Sequence, residues 1–206
     1  SRRADLFPTA HTDTHWVSDS IKGEDMLAAN FGATYLFPPE ICSHWTGWPH
    51  TSPALDLQTE FTVSMLGMFG LSGAIVAWDD EICFHAADRI ALYKLIRPWI
   101  RNSEVYHLTP QVDRTNPRTV QAMQYLDEEN DQSLLFVFRA GDAMNKFAFL
   151  LHGLDPEMVY QVNMPPHSGD DFTMTGDELG RGISVGFPEH TGASAVIRIY
   201  PEKQAS

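Results

Sequence analysis

The sequence predicts a chain in two parts, an α/β segment followed by an antiparallel β module, and the pattern of each half supports this. In the first half, short apolar or β-branched runs alternate with helix-like stretches, which is typical of a β/α architecture with a parallel sheet. In the second half, runs rich in Val, Ile, Phe and Tyr follow one another with only turn residues between them. The pattern changes between residues 105 and 118. We therefore predict two domains, residues 1–106 and 107–206.

The first half has room for only part of a barrel. Its strand-like runs are residues 14–18, 33–37 and 61–70. A helix is expected over 86–97, ended or bent by Pro98, and the residues 42–50 are expected to form a loop. A complete (β/α)8 TIM barrel has eight such units in about 250 residues, and a few strands alone would have open edges. We therefore expect a partial barrel segment that belongs to a longer protein.

The second half is expected to form a small antiparallel β-sandwich. Its predicted strands are residues 133–140, 146–154, 159–164, 182–187 and 194–201. The acidic segments 79–81 and 127–131 are expected to be solvated loops, and residues 176–179 a turn. This arrangement of short strands and turns is typical of a sandwich.

Composition excludes several classes of partner. The net charge of −13, from 27 acidic and 14 basic residues, opposes binding to nucleic acid or to an anionic membrane. The apolar stretches are too short to span a bilayer, and the first residues do not resemble a signal peptide. The two cysteines form no disulfide framework, so we expect a cytoplasmic protein. No phosphate loop, nucleophile elbow or dinucleotide fingerprint occurs, so no cofactor is expected.

Asp19 is the leading catalytic candidate. It follows a strand-like run and precedes a helix-like one, which is where barrel enzymes place their catalytic side chains. Trp16 lies three residues before it, where an indole can stack on a sugar ring. The alternative is that Asp19 caps the following helix, because Asp and Ser are favoured at that position. Local sequence leaves both interpretations open.

A second cluster lies in residues 42–50. Trp45 and Trp48 can stack on sugar rings, and His44 and His50 can bond hydroxyl groups. The alternative is that the tryptophans only seal the end of the barrel. Cys42 with His44, and Cys83 with His85, offer zinc ligands, but each pair has one intervening residue, which is fewer than zinc sites usually have. We expect no metal site.

Several motifs together resemble the α-galactosidases of glycoside hydrolase family 36, and the resemblance covers nearly the whole chain. The motifs are Arg3-Ala4-Asp5, Trp16-Val17-Ser18-Asp19, the run from Gly32 to Pro38-Pro39-Glu40, Cys42-Ser43-His44, Met68-Phe69-Gly70, Leu151-His152-Gly153-Leu154-Asp155-Pro156 and Leu179-Gly180-Arg181-Gly182-Ile183. The sequence departs from the family after Asp19, where Ser20-Ile21-Lys22 replaces the usual Asn-Thr-Asp.

The resemblance implies a retaining mechanism on terminal α-linked galactose, with Asp19 as the acid/base. It also implies that an α-galactoside oligosaccharide is bound by Arg3, His15, Trp16, His44, Trp45 and Trp48. The family's nucleophile segment, Lys-Trp-Asp, has no match in the 206 residues, so we expect this chain alone to be inactive. Activity on α-N-acetylgalactosamine, or a non-catalytic carbohydrate-binding or structural role, remains the alternative. Association with the remaining polypeptide, or with a second copy, is also expected.

Overall fold

The computed structural model describes residues 11–19, 23–48, 57–111, 120–139, 144–164, 170–187 and 193–202. The chain divides into two compact units, residues 1–101 and 102–206. The division precedes the predicted boundary by a few residues because strand β4, Glu104–His107, pairs with the second unit's sheet. Within the described ranges, no helix is both long and apolar enough to cross a membrane.

The first unit contains a parallel sheet with helices between its strands. Among the described residues, the strands are β1 (His15–Trp16), β2 (Cys42–Trp48) and β3 (Met68–Gly73), in the order β1-β2-β3. The helices are α1 (Gly23–Ala33), α2 (Leu57–Ser64) and α3 (Asp80–Arg101), with 3-10 turns at Pro39–Ile41 and Ile75–Ala77. Both strand pairings are parallel, as the alternation of strands and helices predicts.

Three predictions about the first unit are wrong in detail. Of the predicted strand 61–70, residues 61–64 end helix α2 and only residues 68–70 belong to a strand. Residues 33–37 are not a strand but the end of α1 and a turn, and the strand is instead Cys42–Trp48, which was predicted to be a loop. This strand contains the polar residues His44 and Thr46, both buried. Thr46 Oγ1 donates to the carbonyl oxygen of Glu60 in α2 at 3.0 Å. The partner that allows the Thr46 hydroxyl to be buried is therefore distant in sequence.

Helix α3 is longer than the predicted 86–97. Its start is capped by Asp79, whose Oδ1 accepts the backbone N–H of Ile82 at 2.9 Å, so the supposed acidic loop begins the helix. The helix continues past Pro98 to Arg101. Ile96 and Ile100 are both buried, so packing of the last turn offsets the backbone hydrogen bond that Pro98 removes.

The second unit is built from antiparallel strands. Its described strands are β4, β5 (Val120–Asp127), β6 (Gln132–Arg139), β7 (Lys146–Phe149), β8 (Val159–Asn163), β9 (Phe172–Thr175), β10 (Ile183–Gly186) and β11 (Ser194–Pro201). One sheet has the order β4-β5-β6-β11-β8-β9, and β7 pairs with β10 in the other. Leu135, Val137 and Ile197 from the first sheet share one buried cluster with Phe149 and Val185 from the second. Burying each such side chain contributes about 1.5–3 kcal/mol.

Two polar segments of the second unit are more ordered than predicted. Residues 176–179 are not a simple turn but part of helix α4, Gly176–Arg181, which begins with a capping box between Thr175 and Glu178. In the acidic segment, Asp127 is buried, and its Oδ2 accepts hydrogen bonds from the side-chain amides of Asn130 and Gln132 at 2.8 and 2.7 Å. Only part of that segment is therefore a solvated loop.

Gln124, in the middle of β5, is buried and links its strand to a loop. Its Nε2 donates to the carbonyl oxygen of His152, and its Oε1 accepts the backbone N–H of His152, both at 2.8 Å. Gly153 follows with a φ of 71°, a conformation that favours glycine. The loop that contains the Leu151–Pro156 motif is thus fixed to the sheet by Gln124 and by Tyr160 of β8, whose hydroxyl accepts the Asp155 N–H at 3.0 Å.

Candidate active site

The two faces of the parallel sheet in the first unit differ in character. Residues along a strand alternate between faces, and the register pairs Trp16 with Ser43 and Trp45 with Gly70. Trp16 and Trp45 therefore lie on one face. His44 and Thr46 lie on the other, where Thr46 bonds α2.

The first face carries a cluster of Trp16, Asp19 and Trp45. The indole Nε1–H of Trp16 donates to Asp19 Oδ1 at 2.8 Å. The rings of Trp16 and Trp45 meet edge to face, with centroids 4.9 Å apart and an interplanar angle of 75°. Asp19 is exposed and lies three residues beyond the end of β1. A carboxylate with an open approach thus lies beside two indole rings at the carboxyl end of a parallel strand.

Gly70 makes room for this cluster. A Cβ at Gly70 would lie 2.8 Å from the backbone oxygen of His44 and 3.2 Å from Trp45 Cβ. Tyr93, from α3, fixes the start of the same strand, because its hydroxyl donates to the Gly67 carbonyl oxygen at 3.0 Å and accepts the Phe69 N–H at 3.3 Å. The sequence identified Gly70 only within the Met68-Phe69-Gly70 motif, and it indicated no role for Gly70 or Tyr93 at the site. A glycine inside a strand pattern is the feature that indicates such a close approach.

His44 lies beneath the cluster on the helix side of the sheet. It is 1% exposed, and neither ring nitrogen has a hydrogen-bond partner among the described residues. Burial lowers the pKa of His44 to about 3, so the imidazole is neutral at physiological pH. Gly67 packs against it, because a Cβ there would lie 2.9 Å from His44 Cδ2.

The structure thus separates the residues that the sequence grouped as one site. Trp16, Asp19 and Trp45 are brought together, whereas His44 is buried on the other face and the ring of His15 packs on that of Phe37 at 4.8 Å. Trp48 is the last residue of β2, and its side chain is outside the described part of the structure. Arg3 and His50 lie outside the described residues.

The two cysteines have different environments. Burial, with a smaller contribution from Glu40, raises the pKa of the Cys42 thiol to about 12, which disfavours the thiolate form that binds metals. Cys83 is exposed. In the part of the chain that the structure describes, no three His, Cys, Asp or Glu side chains form a group that could hold a metal ion.

In fold, the chain is similar to solved glycoside hydrolases of family GH36. The individual relatives are α-galactosidases. The enzyme from Lactobacillus brevis matches 98% of this chain with a TM-score of 0.83 and 20% identity, and a variant of AgaA from Geobacillus stearothermophilus, in complex with raffinose, matches 92% with a TM-score of 0.77 and 18% identity. The matches cover 28% and 26% of those chains.

The sequence comparison agrees with the fold. Alpha-galactosidase C of Emericella nidulans is 27% identical over 189 residues, which is 88% of this chain and 24% of the relative. The chain therefore spans about a quarter of the length of the curated relatives that it matches. No family model matches the chain. The resemblance to α-galactosidases that the motifs indicate is confirmed.

Proposed function

We propose that the chain is the C-terminal part of a retaining α-galactosidase, comprising the last units of its catalytic (β/α)8 barrel and a C-terminal β-sandwich. Asp19 acts as the acid/base. The observation that carries the proposal is the position of this carboxylate, beyond the end of a parallel strand and bonded to Trp16. In barrel enzymes, catalytic groups occupy that end of the strands.

The substrate proposed is a terminal α-linked galactoside in an oligosaccharide. The raffinose complex of the AgaA variant supports this class of substrate, and the indoles of Trp16 and Trp45 provide faces and edges against which a sugar ring packs. Asp19 protonates the glycosidic oxygen as the bond to the anomeric carbon breaks, and later removes a proton from the attacking water.

A retaining enzyme needs a second carboxylate, about 5–5.5 Å from the first, that attacks the anomeric carbon. The Lys-Trp-Asp segment that carries it in the family is not found in these 206 residues. We therefore propose that the nucleophile is supplied by polypeptide that precedes this chain. This chain alone then supplies only one of the two catalytic carboxylates.

The test compares this chain with a longer polypeptide that also carries the nucleophile segment. The longer polypeptide should release nitrophenol from nitrophenyl α-galactoside, and Asp19→Asn should lower that rate about 10²–10⁴-fold, the usual contribution of a general acid/base. The 206-residue chain should release none. Turnover by the short chain that Asp19→Ala abolishes would show that the nucleophile lies within it.

A non-catalytic carbohydrate-binding role is the second candidate, favoured by the paired indoles of Trp16 and Trp45. Titration of raffinose against tryptophan fluorescence separates the two functions. Binding that survives Asp19→Ala but is lost in Trp45→Ala, together with an inactive longer polypeptide, would support the binding role. The matched control is Trp99→Ala, in α3, outside the cluster.

A further inference from the structure

We propose that Trp16 and Trp45 are a positioning pair that determines which oxygen of Asp19 carries the proton. The Trp16 N–H donates to Oδ1, which favours Oδ2 as the oxygen that carries the proton, and Trp45 holds the Trp16 indole in place. This inference rests on the proposed role of Asp19 as the acid/base.

The hydrogen bond from Trp16 distinguishes the two carboxylate oxygens of Asp19. An indole N–H can only donate, and it points at Asp19 Oδ1 at 2.8 Å. A protonated Oδ1 would be a weaker acceptor for this N–H, because a hydroxyl oxygen carries less negative charge than a carbonyl or carboxylate oxygen. The bond from Trp16 therefore keeps Oδ1 as the acceptor and favours binding of the proton to Oδ2.

The Trp16 side chain is held by its contact with the Trp45 ring. Strand β1 is only two residues long, and Trp16 is its last residue, so its backbone pairing gives little constraint on the side chain. The edge of one indole against the face of the other, at 4.9 Å and 75°, is the geometry that aromatic pairs prefer. Trp45 lies inside the seven-residue strand β2, opposite Gly70. Trp45, which is anchored within its strand, thus supports the less constrained indole of Trp16.

The chemical consequence is directional proton transfer. Oδ2 gives its proton to the glycosidic oxygen, which keeps the electron pair of the breaking bond to the anomeric carbon, while the second carboxylate bonds to that carbon. The negative charge left on Asp19 is stabilised by the N–H of Trp16 at Oδ1. In the second half of the reaction, Oδ2 takes a proton from water.

The experiment measures the five tryptophan indole N–H resonances of the ¹⁵N-labelled chain from about pH 3 to pH 6, where carboxyl groups ionise. The Trp16 resonance is the one missing in Trp16→Phe. We expect it to move downfield as the pH rises and to lose this movement in Asp19→Asn. Trp45→Ala should shift it toward the position of a solvent-exposed indole and remove most of the pH-dependent movement, whereas Trp45→Phe should preserve the movement.

A Trp16 resonance that keeps its position and its pH dependence in Trp45→Ala would overturn the inference, as would a pH dependence that persists in Asp19→Asn. The resonances of Trp78 and Trp99 report whether each variant is folded. If Trp45→Ala does not fold, Trp45→Leu, which keeps apolar bulk but no ring, should give the same loss. Because no substrate is present, this result is independent of the galactosidase assay, and either can fail alone.

Discussion

The two units of this chain are stabilised by different kinds of contact. In the second unit, both sheets contribute apolar side chains to one buried cluster. In the first unit, apolar side chains are also buried, among them Phe61, Ile82 and Ala86, and the helix face of the sheet adds the buried polar residues His44 and Thr46, of which Thr46 bonds Glu60 and Ser64 of α2. The outer edge of β3 pairs with no strand in the described part of that unit. The comparison indicates that both units bury apolar side chains, whereas the helix face of the first sheet also buries His44 and Thr46.

The largest effect is expected from separating the units. Residues 102–206 alone should unfold in one cooperative thermal transition, because their apolar cluster is complete within that range. Residues 1–101 alone should melt at a lower temperature and over a broader range, because the outer edge of β3 pairs with no strand in the described part of that unit. Circular dichroism melts of both pieces test this, and a sharp melt of 1–101 would contradict it.

A smaller effect is expected from acid acting on His44 in the first unit. The pKa of His44 is about 3 in the folded chain against about 6.5 unfolded. Its neutral form therefore contributes stability that is complete above about pH 6.5 and falls by about 1.4 kcal/mol per pH unit as the pH drops toward 3. His44→Leu should flatten this dependence in denaturant titrations.

His152, which is exposed in the second unit, provides the matched control. The denaturant titrations of His152→Gln are compared at each pH with those of His44→Leu and of the parent chain. An equal loss of stability with falling pH in His44→Leu and the parent would show that another group is responsible.

The smallest effect is expected from single glycines. A Cβ at Gly67 would lie 2.2 Å from the Cys42 carbonyl oxygen, so Gly67→Ala must displace the start of β2 and should cost about 1–3 kcal/mol. At Gly186, in the second unit, a Cβ would meet no atom within 4 Å, so Gly186→Ala should change stability by less than about 0.5 kcal/mol. Similar melting temperatures for the two variants would contradict the close packing at Gly67.

Strands with continuous apolar runs, which lie in the second unit, were predictable from the sequence, whereas strands with polar residues on a buried face were not. The predicted strands 133–140 and 194–201 match β6 and β11 to within a residue, because their continuous apolar runs identify them without knowledge of a partner. Strands β4, β5 and β9 were missed: β9, Phe172–Thr175, is short and largely exposed, whereas β5 is buried but contains the polar residues Gln121, Gln124 and Asp127. Strand β2 was taken for a loop because its buried face is polar, and its hydrogen-bond partner in α2 lies 14 residues away.

The candidate site was predictable in part. The motif around Asp19 indicated the carboxylate and Trp16, and the structure joins them by a hydrogen bond. The pairing of Trp16 with Trp45 depends on the register of β1 and β2 across 29 residues of chain, which local patterns do not contain. The helix-side position of His44 follows from the strand alternation of β2, which could not be applied while that segment was interpreted as a loop.

The Gln124 side chain joins strand β5 to the loop that contains His152. Its side-chain amide gives and receives one hydrogen bond with the backbone of His152, as a peptide group in a neighbouring strand would. A carboxylate at this position would set an oxygen against the His152 carbonyl, and Asn would be too short by one methylene. Gln124→Glu therefore removes the hydrogen bond to the His152 carbonyl oxygen, while the loop keeps the bond from the Asp155 N–H to the Tyr160 hydroxyl.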